Sequence, residues 1–325
     1  MTAGTLAVML GAGSLVLAFA GPWLLRNAAP ALVRVPRLAI AVLVAGVLVW
    51  LGALLTVGPV LAWAGSGPAL LPQPAAEVCQ RCLAAANPFS SSGTDLGLPA
   101  ALLLALPAAL ALGLVADVTR QLARGASRSR HAARALLRGA RPLRLHGYDV
   151  SLVEVEHPFA LTFPARHGGI VLSTEAVRAL DADELAAVLA HESAHLRQRH
   201  HLISAVVEGV ATHLRWVPLV RAVEAALPHY LEIAADARAR RAVGTPALVG
   251  ALVKLGERTH PAVPHHSCPA ALHAAGPERI RELVRPSAGL AGTLPAAGIT
   301  AYLMVLASFS ATVHLPYASA VMTAC

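Results

Sequence analysis

Residues 186–201 read AAVLAHESAHLRQRHH, and three of them have the types and spacing to work together. Positions four apart on a helix share a face, one turn apart. His191 and His195 can therefore turn both imidazoles towards one cation. Glu192 is one residue further round and cannot be a ligand from that face, but it is well placed beside a water on the cation. This is the HExxH spacing of zinc peptidases, two ligands and a general base. Zinc brings the pKa of its water to about 7, and a carboxylate can take the proton as the water attacks a peptide carbonyl. Apolar flanks (Val188, Leu189, Ala190, Leu196) and the lack of any proline favour a helix here. The plainer alternative is an exposed helix face with two ordinary histidines.

A hydrolytic zinc site needs a third protein ligand and an open position. Downstream, HYLEIAADARARRA places Glu232 and Asp236 four apart on a helical pattern. Glu232 can complete a His/His/Glu set, and Asp236 can accept a hydrogen bond from a ligand imidazole and fix its tautomer. Glu232 could equally pair with Arg238, Arg240 or Arg241. Glu208 and Glu224 are alternative ligands, though neither has an acidic partner one turn later.

The elements that must position these residues are unusually apolar. Of 325 residues 56% are apolar and only 14% charged, about half the charge fraction of a soluble domain. Lys254 is the only lysine, and arginine carries nearly all of the +8 net charge. Four uncharged stretches, at 4–25, 38–64, 98–116 and 294–315, have the ~20 residues that a membrane-crossing helix needs. Ala18-Phe19-Ala20 looks like a signal-peptide cleavage site, but no basic residue precedes the first stretch, so it is expected to remain as a helix. The second stretch contains Pro59 and is expected to tilt or to end near it. None of the four carries a charge, which is unlike a transporter.

Loop charges set the orientation. Arg26, Arg34 and Arg37 follow the first stretch, and eight arginines from Arg120 to Arg144 follow the third. By the positive-inside rule these segments are cytoplasmic, with both termini and the 65–97 loop outside. The arginine run after a span reads as a juxtamembrane segment meeting anionic lipid, and no direct nucleic-acid contact is expected. Fourteen of fifteen histidines lie between 131 and 273. Within that region YDVSLVEVE alternates like a strand, HPFALTFP reads as a strand or turn, and GGIVLS is a short apolar run. The run from Ser173 onwards turns helical, with Asp181 or Asp183 available as a cap.

HESAH followed by EIAAD resembles the HExxH…ExxAD pattern of two groups of integral-membrane zinc metallopeptidases. These are the BlaR/MecR antirepressor group and the related HtpX/CAAX-prenyl protease group. GGIVLSTEAVRALDADELAAVLAHESAHLRQRH also resembles the segment that leads into the motif in both. The order of spans resembles the first group better. The resemblance implies one Zn2+ held by His191, His195 and Glu232, with Glu192 as base and Asp236 behind a ligand. It also implies a peptide or protein substrate, for the antirepressor group a winged-helix transcriptional repressor or the chain itself. Two departures stand out. Arg199-His200-His201 replaces a frequent aspartate after the second histidine, and Phe159-Ala160-Leu161-Thr162 replaces Asn-Ala-Phe-Ala on the preceding strand. With the sequence ending at Cys325, no penicillin-binding sensor and no direct β-lactam acylation are expected.

The expected fold is therefore mainly α and integral to the cell membrane, four transmembrane helices with an inserted small α+β zinc-peptidase domain. Residues 1–116 hold three helices and the outside loop, 117–287 the cytoplasmic peptidase domain, and 288–325 the fourth helix and a short outside tail. Roles as a quality-control protease or an inert scaffold are the alternatives to signalling. Arg279, in ERIREL, is a further candidate for contact with substrate or transition state. The proline-rich stretch with His260, His265, His266, Cys268 and His273 reads as a loop rather than a second metal site. Cys79 and Cys82 form a CxxC in the outside loop, where an oxidised pair is possible.

Overall fold

The computed structural model describes residues 2–66, 72–88, 94–95, 97–256 and 290–323. Helices α1 (Ala3–Leu32) and α2 (Pro36–Ala64) form a hairpin. The two-residue strand β1 (Gly65–Ser66) pairs in parallel with β2 (Thr94–Asp95), and helix α3 (Gln73–Ala86) lies between them in sequence. Helix α4 (Ala100–Leu136) leads into strands β3 (Arg141–Leu145), β4 (Tyr148–Val153), β5 (Ala160–Thr162) and β6 (Ile170–Ser173). Helices α5 (Thr174–Ala179), α6 (Ala182–Arg197), α7 (His200–Leu214), α8 (Pro218–Val243) and α9 (Thr245–Gly256) follow, and α10 (Thr293–Thr323) closes the described chain. Arg279, Cys268 and the histidines of 260–273 lie outside the described residues.

Four of these helices, α1, α2, α4 and α10, are long and apolar enough to cross a membrane. They cover the four uncharged stretches, apart from residues 98 and 99, and extend beyond them. The third stretch was expected to stop at 116, whereas α4 continues to Leu136. The arginines there alternate with alanine, leucine and serine, and arginine is itself a good helix former. Of the two expectations at Pro59, a tilt or an end, the end does not occur, and α2 runs on to Ala64. Val60, Ala62 and Trp63 in that last turn are buried, Trp63 stacks on Tyr317 at 4.9 Å, and the Tyr317 hydroxyl donates to the Pro59 carbonyl at 2.8 Å. This packing offsets the hydrogen bond that proline removes.

The four main strands form a mixed sheet in the order β3-β4-β6-β5. Strand β3 was not expected, because Arg141 and Arg144 read as part of the basic run. It pairs antiparallel with β4 across a turn at His146-Gly147. All four residues of β6 are buried, as in a strand covered on both faces. Ile170 and Leu172 pack with α6 and α9, and Val171 packs with Phe163 and the last turns of α4.

Helix α8 joins the two halves of the molecule. Leu219, Val220, Val223 and Leu227 lie in one core with α1 and α2, while Ala239 lies in the core of α6 and α9. Pro218 starts α8 at the position where a missing N–H costs nothing. Helix α4 is tied to α7 by His213 Nε2, 2.6 Å from Asp117 Oδ2, and this hydrogen bond, with one from Gln121, holds the Asp117 carboxyl below its usual range.

Cys82 on α3 is disulfide-bonded and Cys79 is a free thiol, so the CxxC is not closed on itself.

Helices α2 and α4 approach each other closely at Gly58. A Cβ there would collide with the Leu103 carbonyl oxygen and come within 2.7 Å of Pro107 Cγ. Backbone cannot yield as a side chain can, so Gly58→Ala should destabilise the protein by about 1–3 kcal/mol. Gly52→Ala, where a Cβ meets nothing within 4 Å, should not destabilise it. Thermal unfolding of the two variants in one detergent checks this; equal midpoints would contradict it.

Candidate metal centre

Helix α6 is fixed at its start. The Asp181 side chain accepts the Glu184 N–H and the Glu184 side chain accepts the Asp181 N–H, each at 2.9 Å, a reciprocal capping box. Lys254 of α9 reaches Glu184 Oε2 at 2.5 Å. Burial of Ala187, Val188 and Leu189 sets the rotation of α6 about its axis, which turns His191, Glu192 and His195 towards α8 and β5. The helix ends at Arg197, and Arg199 takes a left-handed conformation, φ 51° and ψ 40°, uncommon for a residue with a Cβ. That turn folds α7 back, so its first residue, His200, is buried against His195.

The structure brings together one residue from each end of α6's active turn and one from α8. His191 Nε2 and His195 Nε2 are 3.1 Å apart. Glu232 Oε2 lies 3.5 Å from the first and Glu232 Oε1 lies 3.4 Å from the second. Ligand atoms about 2.0–2.1 Å from zinc at tetrahedral angles stand roughly 3.3 Å apart, so the triangle has the size of a zinc-binding face. Among the described residues this is the group of three placed to hold a metal ion. Glu208 and Glu224 are not part of it. Glu224 is engaged by Arg215 at 2.9 Å, and Glu208 lines the neighbouring cavity.

Both rings are backed on their far nitrogens. His191 Nδ1 is 3.0 Å from Asp236 Oδ1, and His195 Nδ1 is 2.9 Å from His200 Nδ1. The Nδ1 atoms are thus engaged away from the centre and the Nε2 atoms converge. His191, Glu192, His195, His200 and Asp236 are all buried, and Glu232 is the partly exposed member. Burial by itself would push the His191 imidazolium down, but the carboxylates of Asp236 and Glu232 outweigh it and hold the ring up at about 10. Burial, only partly opposed by Glu232, pushes His200 down to about 4. The centre therefore draws in positive charge, and its residues fit a divalent cation.

Glu192 is fully buried. The Thr162 hydroxyl, on the edge strand β5, donates to Glu192 Oε2 at 2.5 Å. Beside the centre is a cavity of about 420 Å³, with His195 and Glu232 on one wall and Phe163, Leu122, Leu202 and Leu231 on the apolar remainder.

Residues 123–228 match the family model of Peptidase family M48. No curated protein and no solved structure matches the chain. The stretch similar to M48 peptidases takes in α6 with its HExxH residues and ends four residues before Glu232. Sequence likeness to a peptidase family and the His/His/Glu grouping thus fall on the same helix.

Thr162 and His200 were not assigned roles from sequence. Both fall within the two short segments that depart from the family pattern, and that departure was the available signal. Their contacts depend on the β5 register and the left-handed turn at Arg199.

Since His191 is held up at about 10 by the carboxylates beside it, it carries a proton at neutral pH that an incoming cation must displace. Affinity should therefore rise with pH, by up to about tenfold per unit between pH 6 and 8, with about one proton released per ion. Zinc titration in buffers of different ionisation enthalpy measures both. Affinity flat across that range would contradict the electrostatic reading of the centre.

Proposed function

We propose that the protein is a membrane-bound zinc endopeptidase with its centre on the cytoplasmic side. The observation that carries this is the triangle of His191 Nε2, His195 Nε2 and a Glu232 carboxylate oxygen, with Glu192 next to it on α6. His191, His195 and Glu232 would hold the ion, and Asp236 would keep His191 in the Nδ1–H tautomer. When bound, zinc supplies Lewis acidity, which brings a water's pKa to about 7 and polarises a peptide carbonyl. Glu192 takes the proton from the attacking water and delivers it to the leaving amine nitrogen. Thr162 steadies that carboxylate through its hydroxyl.

The substrate reading follows from the sheet. Strand β5 is at the edge of the sheet, paired with β6 on one side, and an edge strand can pair with an extended peptide. A peptide along β5 would pass Glu192 and set a side chain into the adjoining, mostly apolar cavity. Four long apolar helices support the membrane reading, as do the exposed Leu15, Phe19, Leu106, Leu110 and Leu112 on them. The order of spans, three before the centre and one after, supports a signalling role in which a repressor or the chain itself is cut.

The test uses the full chain in detergent. Wild type and Glu192→Gln should each bind about one zinc, and Glu232→Ala should lose most of it. Glu192→Gln should lose at least about 100-fold in peptide hydrolysis. Glu192→Gln should also retain substrate in cells: one DNA-binding repressor supports signalling, whereas many misfolded membrane proteins would replace it with quality control. Wild type without zinc or hydrolysis would leave the inert-scaffold reading.

A further inference from the structure

Two imidazoles face the proposed ion, and they are backed differently. Behind His191 is a carboxylate, Asp236, 3.0 Å from Nδ1. Behind His195 is another imidazole, with His200 Nδ1 2.9 Å from His195 Nδ1. Two ring nitrogens at that distance need one proton between them. If His195 presents the Nε2 lone pair to a cation, its proton must sit on Nδ1, so His195 donates and His200 accepts. An imidazole that accepts at Nδ1 is neutral and carries its own proton on Nε2. That N–H has an acceptor, Gln198 Oε1, at 3.3 Å. The chain of donors runs one way, from His195 to His200 to Gln198, and each group in it is uncharged.

We propose that His200 is the positioning residue of the second metal-binding imidazole, fixing the Nδ1–H tautomer and ring plane of His195 as a neutral acceptor. It rests on the reading of His191, His195 and Glu232 as the ligands. The T-shaped contact of the two rings, with centroids 4.7 Å apart and planes at 90°, fixes the orientation as well as the tautomer. A carboxylate behind a ligand imidazole raises the basicity of that ligand, and a neutral ring does so less. The site therefore has one strongly and one weakly supported histidine, and its affinity is set below what two carboxylate partners would give. His200 is held in place by the turn at Arg199 and by burial, so its role belongs to the local fold and needs no movement on binding.

The direct test is zinc affinity, measured by competition with a chelator on the full chain in detergent, for wild type and four variants. His200→Phe keeps a ring but has no acceptor, and should weaken binding by about 10–100-fold. His200→Asn offers an amide oxygen near the position of Nδ1 and should restore most of the loss. His200→Asp places a charge behind His195 and should tighten binding beyond wild type, a gain that misfolding cannot imitate. Glu232→Ala tests the ligand set separately. Cobalt-substituted protein should show shifted visible bands in His200→Phe and near-native bands in His200→Asn. If folded His200→Phe binds zinc as tightly as wild type, or His200→Asp binds no more tightly, the positioning role is overturned while the ligand set stands. If wild type and Glu232→Ala both fail to bind zinc, the ligand reading fails and this inference falls with it.

Discussion

Two buried imidazole nitrogens 3.1 Å apart, with a carboxylate oxygen 3.4–3.5 Å from each, draw positive charge to one point. Their lone pairs point at one place, and burial removes the water that would otherwise screen them. The surroundings sharpen the demand, since Asp236 and Glu192 add two more buried carboxyl groups within the same few turns of helix. A proton on His191 meets part of it, which is why that ring is held near 10. A divalent ion could meet more of it, because His191, His195 and Glu232 are near enough to one another to share one ion.

Keeping such a group together requires rigid backing, and α6 and α8 have it in different ways. Helix α6 is capped at its start and buried on several sides. Helix α8 packs its first half into the core of the apolar helices and its second half beside α6. Glu232 is thus carried on a helix that packs against the long apolar helices α1 and α2. This packing links any shift of α1 or α2 against α8 to the position of Glu232.

What sequence made legible follows physical range. His191, Glu192 and His195 are related by helical spacing alone, so their placement on one helix needed no tertiary knowledge. Glu232 and Asp236 share the same local rule, and the acidic pair one turn apart already favoured Glu232 over Glu208 and Glu224; the distances to the two histidines come from the packing of α8 on α6. Apolar stretches marked four long helices, whereas their ends depended on packing at Trp63 and on the helix-forming run after Arg120. Strand β3 was hidden because arginine content looks the same in a basic tail and on an exposed edge strand. Thr162 and His200 escaped assignment because their contacts arise from an edge-strand register and a single left-handed residue. Neither leaves a periodic trace.

The most direct measurement is X-ray absorption at the zinc edge on zinc-loaded, full-length protein. The account predicts one zinc with two imidazole nitrogens and oxygen ligands at about 2.0–2.1 Å, four neighbours in all and no sulfur. Three or more imidazoles, a thiolate at about 2.3 Å, or no specifically bound zinc would contradict it.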